Sequence, residues 1–274
     1  MANIFGAGYD FWKQIKEVSP RGIEDEANSG FKIALVGTPA ARARLREAFL
    51  TEKATLDERD EAMAHLREFD FAPDADTAKA FAFTVYVPEV DSEAIGARGT
   101  NSAPITAPTV AKLAEAMVNQ NPRLAVPLGR RFPLFRAFAA NRIIADASRT
   151  NAQVALISAL PGVFPPAAII LPASSIADVL LLTKNQLMMV MRLAATYGKK
   201  PGYTQQIKEL MGVLGAALGW RTVARELSGF IPIPGVGLAI KVAIAYSGTV
   251  AAGRSAALFY QTGHKPTPKE VQAA

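Results

Sequence analysis

The sequence predicts a two-domain chain: a small three-layer α/β domain with a short, mainly parallel sheet, then an all-α helical domain. Three observations lead there. Apolar strand-like and helix-like stretches alternate as β-α-β-α-β over roughly residues 30–128, the order that favours parallel strands joined by crossover helices. From Arg131 onward the pattern is helical throughout. The charge also divides: residues 1–137 hold 17 Lys and Arg against 19 Asp and Glu, and residues 138–274 hold 13 against 5. The expected segments are 1–29, an N-terminal amphipathic helix and linker; 30–130, the α/β domain; 131–262, the helical domain; and 263–274, a disordered tail.

Taken in order, DFWKQIKEV (residues 10–18) reads as an amphipathic helix with Phe11, Ile15 and Val18 on one face, and SPRGIEDEANSG as a polar linker. FKIALVG is a short apolar strand ended by Gly37. Ala40 to Leu50 is helical by propensity, and TEKATLDERDEAMAHLREF continues it as exposed helix or loop. FAPDAD is a turn, and KAFAFTVYVPEV is a second strand, rich in Val, Tyr, Phe and Thr. EAIGARGTNSAPIT reads as a loop, TVAKLAEAMVNQN as a helix and PRLAVPL as a third strand.

In the second half, FPLFRAFAANRIIADASRTNAQVALISAL is one helical pattern, with Phe135, Phe138, Ile143 and Ile144 spaced for a buried face. Pro161, Pro165, Pro166 and Pro172 break the next apolar run. SSIADVLLLTKNQLMMVMRLAATYG opens on Ser174 and Ser175 as cap candidates and closes at Gly198. Helices are expected from about Tyr203 to Gly219 and from Trp220 to Leu227. The turn GFIPIPGVG then leads to a long Ala-rich helix ending near Tyr260.

The composition excludes several classes. There is no cysteine, which removes disulfides and thiolate metal sites. Two histidines, His65 on a charged stretch and His264 in the tail, read as solvated and leave little for histidine metal or acid–base chemistry. No G-x-S-x-G and no carboxylate cluster is present, so no enzyme class is indicated and no cofactor or metal is expected. Half the residues are hydrophobic and the mean hydropathy is +0.15, below a polytopic membrane protein. Asp10, Lys13 and Lys16 interrupt any signal-peptide core, which predicts a cytoplasmic start. The basic, apolar second half points to an anionic membrane surface or an acidic partner, or else to scattered solvated charges. Nucleic acid is disfavoured because stacking aromatics are not interleaved with the basic residues.

The strand–glycine–helix at Phe31–Phe49 invites comparison with a phosphate loop, G-x-x-x-x-G-K-[ST]. Starting at Gly37, the last three positions of that motif fall on Arg42, Ala43 and Arg44, so the second glycine, the lysine and the metal-holding hydroxyl are all missing. No D-x-x-G or N-K-x-D comes later in the chain. The stretch is a degenerate phosphate-loop remnant from which hydrolysis of a nucleoside triphosphate is not expected. GAGYD (Gly6–Asp10) lacks a preceding strand and is a chance match to a dinucleotide fingerprint.

Two features of the helical half exceed background. Thr150 to Ala177 is 28 residues without a formal charge, long enough to cross a bilayer but broken by four prolines. It fits either buried helices joined by a Pro-rich turn or a bent, membrane-dipping hairpin. Gly235, Ala239, Ala243, Ser247, Ala251 and Ser255 form a small-residue stripe at four-residue spacing, repeated by Gly215 and Gly219, which predicts close helix–helix packing in membrane or in water. Asp178, Lys184, Asn185 and Gln186 form a polar cluster beside an apolar helix, satisfying one another or a neighbouring loop. Arg130 and Arg131 read as a solvated junction.

NAQVALISALPG (Asn151–Gly162), LTKNQ (Leu182–Gln186) and RLAATYG (Arg192–Gly198) are the most specific parts of a stretch, roughly residues 133–262, that resembles the YcjF-like domain of unknown function. The resemblance implies an all-helical domain that accompanies GTP-binding domains and associates with membranes, with no catalytic residues to carry over. It implies a non-catalytic, membrane-associated or GTPase-associated accessory or scaffold protein. This protein would lie on the cytoplasmic face, attached to or partly inserted in the inner membrane. The alternative is a divergent GTP-binding switch with a non-standard phosphate loop. Oligomeric state and process stay open.

Overall fold

The computed structural model describes residues 19–51, 54–90, 93–100, 102–159, 174–202 and 236–273. The expected helices at 10–18, 203–219 and 220–227 and the Pro-rich stretch at 161–172 lie outside them. The chain is mixed α/β, with a five-stranded sheet in its N-terminal part and long helices after it. Its contacts cluster into two units, one holding Asp25–Arg142 with Ala195–Lys199, the other built around Ile143–Ala194 and Lys200–Ala274.

The linker expected before the first strand contains a helix, α1 (Pro20–Ala27), on which Ile23 and Ala27 are buried. Strand β1 (Ile33–Val36) is buried at all four positions, as a central parallel strand must be. Helix α2 (Pro39–Leu50) has its first turn set by Thr38, whose side chain accepts from the Ala41 amide, and by proline at N1. Helix α3 (Leu56–Met63) carries a capping box, Thr55 and Glu58 satisfying each other's backbone amides.

The sheet order is β2-β1-β3-β4-β5, with β2 (Leu66–Phe69), β3 (Phe83–Tyr86), β4 (Ile95–Gly99) and β5 (Pro104–Ala107). Strand β1 is parallel to β2 and β3, whereas β3-β4 and β4-β5 are antiparallel. The sheet is therefore mixed, not mainly parallel. Strands β4 and β5 caused the difference, and β2, parallel to β1, is a further strand that the sequence hid. LREF, expected as helix or loop, is the edge strand β2, whose middle residues Arg67 and Glu68 are exposed. The expected loop EAIGARGTNSAPIT supplies β4 and β5, where Gly96 and Gly99 hid the strand pattern.

The expected strand PRLAVPL is instead a 3-10 turn (Pro122–Leu124) running into helix α6 (Ala125–Arg131), after α4 (Ala75–Ala78) and α5 (Val110–Gln120). Its prolines fit first-turn positions of a helix, and Ala125 to Gly129 are buried all round. Gly129 has no room for a side chain: an added Cβ would stand 2.5 Å from the Thr196 methyl.

The core of this unit is aromatic. Phe49 meets Phe132 and Phe135 edge-on at centroid distances of 5.6 and 5.1 Å, and Phe31 stacks on His65 at 4.5 Å. His65 Nδ1 lies 2.8 Å from the Phe31 carbonyl, so it is a half-buried turn residue ahead of β2, not the solvated helical residue expected from sequence. Two ion pairs tie α3 to the end of α6 and the start of the first long helix: Arg131 with Glu61, and Arg136 Nη2 with Glu58 at 2.6 Å.

Burial resists ionisation of Glu58, but the Thr55 amide and the Arg136 guanidinium outweigh it and hold its carboxyl below the usual range. A depressed carboxyl stabilises the fold above its unfolded value of about 4.3, and that stability is lost as pH falls through the lower folded value. Urea midpoints are therefore expected to be flat near neutrality and to drop below about pH 4. Glu58→Gln should lower the plateau and shrink the acid-side drop; an unchanged pH profile would show that the pairing contributes nothing.

Helices α7 (Arg136–Ala159), α8 (Ser174–Thr196) and α9 (Val236–Thr262) match the expected spans. Gly198 and Gly263, with φ of 78° and 77°, sit where the last two end, as glycine at a left-handed helix terminus does. In place of a disordered tail, residues Pro268–Ala273 form helix α10. Thr267 and Glu270 cap it reciprocally, and His264 lies 3.5 Å from Glu270.

Candidate functional site: a plugged strand-to-helix junction and a buried polar network

β1 lies between β2 and β3, so its C-terminal end is where the chain's connections diverge, the position at which open α/β sheets bind ligands. Only Gly37 and Thr38 separate Val36 from α2, fewer residues than a loop that wraps phosphates requires. Gly37 has φ of 149°, and a Cβ there would lie 2.7 Å from the Val87 carbonyl oxygen. Its amide donates to the Phe69 carbonyl at 3.2 Å, and Val87 donates to Val36 at 2.8 Å, so all three strands stay joined past their ends.

Arg42 fills what remains. Its guanidinium donates to the Gly37 carbonyl at 2.5 Å, to Asp70 at 2.6 Å and to Glu68 at 3.2 Å, with the side chain 8% exposed. Hydrogen bonding to Asp70 raises the Arg42 pKa against the cost of burial. Arg46 also reaches Glu68, at 2.8 Å. Arg44 donates to the Glu89 carbonyl at 2.7 Å, tying α2 to the segment after β3, and Ala43 is half-buried without a polar atom to offer. Arg42 and Arg44, at two of the three lost motif positions, thus hold the junction together. Glu68 and Asp70, the acceptors, carry no signal of their own in the sequence, because the edge strand that delivers them lacks strand periodicity.

Because the junction is both left-handed and tight, Gly37→Ala is expected to destabilise by about 1–3 kcal/mol. A urea melt within error of the parent would refute the strain.

The second constellation lies in the helical unit. Asn151 on α7 donates to Thr249 Oγ1 on α9 at 2.7 Å, and its carbonyl oxygen accepts from Asn185 Nδ2 on α8, also at 2.7 Å. Asn185 reaches the Ala147 carbonyl at 2.9 Å, Gln186 approaches Thr249 at 3.4 Å, and Thr249 donates to Ala245 at 2.7 Å. Asn151, Gln186 and Thr249 are nearly fully buried, as is Ser148, whose hydroxyl has no partner. Of the expected polar cluster, Asn185 and Gln186 join this network, and Lys184 is half-buried beside them in sequence. The side chain of Asp178 lies outside the described residues. The cluster's true partners, Asn151 and Thr249, are distant in sequence; the only local signal was a lone asparagine opening an apolar run.

Among the described residues, the small-residue stripe is not the buried face of α9. Gly215, Gly219 and Gly235 lie outside the described residues. Of the rest, Ala239, Ala243, Ser247 and Ala251 are exposed and Ser255 half-buried. The buried face of α9 carries Thr249, Ala252, Gly253 and Ala256 instead. The close approach is at Gly253, where a Cβ would stand 2.6 Å from Ile144 and 3.1 Å from the Met189 sulfur. Alanine is so frequent in α9 that several of its faces satisfy four-residue spacing.

Among the described residues, no helix is long and apolar enough to cross a membrane, and no group of three or more His, Asp or Glu is placed to hold a metal ion. A shallow groove of about 380 Å³ runs between β5 and α5, where Lys112 is paired with Glu115. No family model, curated protein or solved structure matches the chain.

Proposed function

We propose that the protein is a non-catalytic accessory or scaffold protein of two domains. A remnant α/β domain (30–130) precedes a YcjF-like helical domain (131–262) that docks on an anionic membrane surface at the cytoplasmic face or on a GTPase or other protein. One observation carries the loss of nucleotide chemistry: the Arg42 guanidinium, bound to Gly37, Glu68 and Asp70, occupies the place a triphosphate would need. A phosphate entering there would have to displace an acidic pair that repels it. The helical half's excess of 13 basic over 5 acidic residues supports the docking.

Calorimetry and thermal melts with GTP and ATP plus magnesium test the first half. Ligand at one hundred times its dissociation constant would add about 2.7 kcal/mol of stability; neither heat nor stabilisation at millimolar nucleotide is expected. The alternative, a divergent GTP-binding switch, draws on the strand–glycine–helix at a divergence point of parallel strands. Magnesium-dependent heat with GTP but not ATP would establish it and end the non-catalytic reading. Fractionation tests the second half: release by salt means electrostatic docking, and a detergent requirement means insertion.

A further inference from the structure

The register of the sheet fixes which backbone groups point outward at its edges. Val87 donates to the Val36 carbonyl at 2.8 Å, so Thr84 and Tyr86, on the other parity of β3, turn their backbone groups to β4. They pair with Arg98 and Gly96, which leaves Ile95 and Ala97 facing β5. The Thr100 amide, donating to the Ala82 carbonyl at 3.3 Å, gives the same parity. Ile95 and Ala97 pair in turn with Ala107 and Ile105. The backbone groups of Pro104 and Thr106 therefore point away from the sheet, on the last strand of the described order. An added strand needs donors at alternate positions along such an edge. Proline stands at Pro104 and again at the next outward position, Pro108, one residue past the strand, and neither has an N–H. Thr106 between them offers a single donor.

From this geometry we propose that Pro104 and Pro108 guard the β5 edge, closing it to strand addition and above all to edge-to-edge pairing with a second copy of this chain. In a two-fold antiparallel pair centred on Thr106, each copy's Pro104 falls opposite the other's Pro108, so both flanking pairs lack every donor. Only the two bonds exchanged by Thr106 remain. The edge is otherwise bare: Pro104, Thr106 and Pro108 are exposed, and the groove of about 380 Å³ along Thr106, Pro108, Lys112 and Asn119 leaves room beside it. The opposite edge is protected by other means. Ile33 and Gly37 donate to the His65 and Phe69 carbonyls, so on β2 the groups of Leu66 and Glu68 point outward. The Leu66 carbonyl already accepts from Arg67 Nη1 at 2.7 Å, and the charged side chains of Arg67 and Glu68 are exposed along the strand. A protein that binds this unit therefore does so through side chains and does not extend its sheet.

The double variant Pro104→Thr, Pro108→Thr of the full chain restores both missing donors and tests the guard. In sedimentation equilibrium over a range of concentrations, its weight-average mass is expected to rise to roughly twice the parent's. Hydrogen exchange at its Thr106 amide should slow several-fold as it associates, while the parent's stays fast at every concentration. Adding Thr106→Pro to the double variant removes the central donor and should return the mass to that of the parent. Pro108→Thr alone lies outside the strand; its mass is read the same way and decides the matter if the double variant's melt is lowered. Variants that keep the parent's mass at every concentration would overturn the proposal, as would association that survives Thr106→Pro. Concentration-dependent protection of the Thr106 amide in the parent would show the edge already paired, and would overturn it too.

Discussion

Phe132→Ala is expected to lower stability by about 3–5 kcal/mol, a larger loss than any other substitution named for this chain. Phe132 is fully buried and meets three other rings, Phe31, Phe49 and Phe135, at 6.2, 5.6 and 5.8 Å. It sits in extended backbone between α6 and a second 3-10 turn, Pro133–Phe135, so its ring is delivered from a chain reversal that cannot slide to refill the space. Removing it strips contacts from every neighbour at once, and Phe31 loses the support that holds it against His65. The cost is comparable with the whole stability of a marginal domain. Phe71→Ala is the contrast: this ring is 85% exposed, and its loss should cost no more than about 0.5 kcal/mol. Urea unfolding monitored by circular dichroism, with hydrogen exchange of β1 to assign the loss to the aromatic unit, measures both. A Phe132→Ala penalty near that of Phe71→Ala would mean the cluster is not the core of this unit.

The long helices were legible in the sequence because period and punctuation agreed. Ser174 opens α8 and Gly198 lies just past its end, and α7 and α9 run uninterrupted by proline. The sheet was only half legible. β1 and β3 are short apolar runs, which sequence pattern detects, while β2 is an edge strand with Arg67 and Glu68 exposed and β4 carries two glycines, so neither shows strand periodicity. PRLAVPL shows the opposite error, an apolar run too short to distinguish strand from buried helix until its prolines are placed at a helix start.

The site divides along the same line. That Gly37, Arg42, Ala43 and Arg44 cannot make a phosphate loop is evident from residue identity alone. What Arg42 does instead depends on Glu68 and Asp70, brought to it by a parallel pairing that sequence did not reveal. Likewise LTKNQ marked Asn185 and Gln186 as unusual, but the helix register alone supplies Asn151 and Thr249.

Asn151→Ala is expected to destabilise the helical unit by about 2–3 kcal/mol, since it removes two short buried hydrogen bonds and leaves polar groups of Asn185 and Thr249 without those partners. The asymmetry of hydrogen bonding sets the size: losing one partner costs more than the pair contributes net. Thr249→Val keeps the shape and removes the hydroxyl that receives from Asn151 and Gln186, so alone it should cost about 1–2 kcal/mol. Because the two residues share one bond, their effects should not add; the double variant should fall short of the sum by about 0.5–2 kcal/mol. Additive losses would show that Asn151 and Thr249 are satisfied independently. The network's position also bears on why it exists. An apolar seam between α7, α8 and α9 would tolerate a slip of one turn, because alanine and leucine recur on several faces. Asn151 can meet both Asn185 and Thr249 in only one register, and a slip would bury three unpaired amides or hydroxyls at roughly 1–3 kcal/mol each. Asn151→Leu separates fixing the register from simple hydrogen-bond strength. If the network fixes the register, that variant should stay helical by circular dichroism yet lose hydrogen-exchange protection along α8 and α9. Protection retained at the parent level would assign register to the Gly253–Ile144 contact alone.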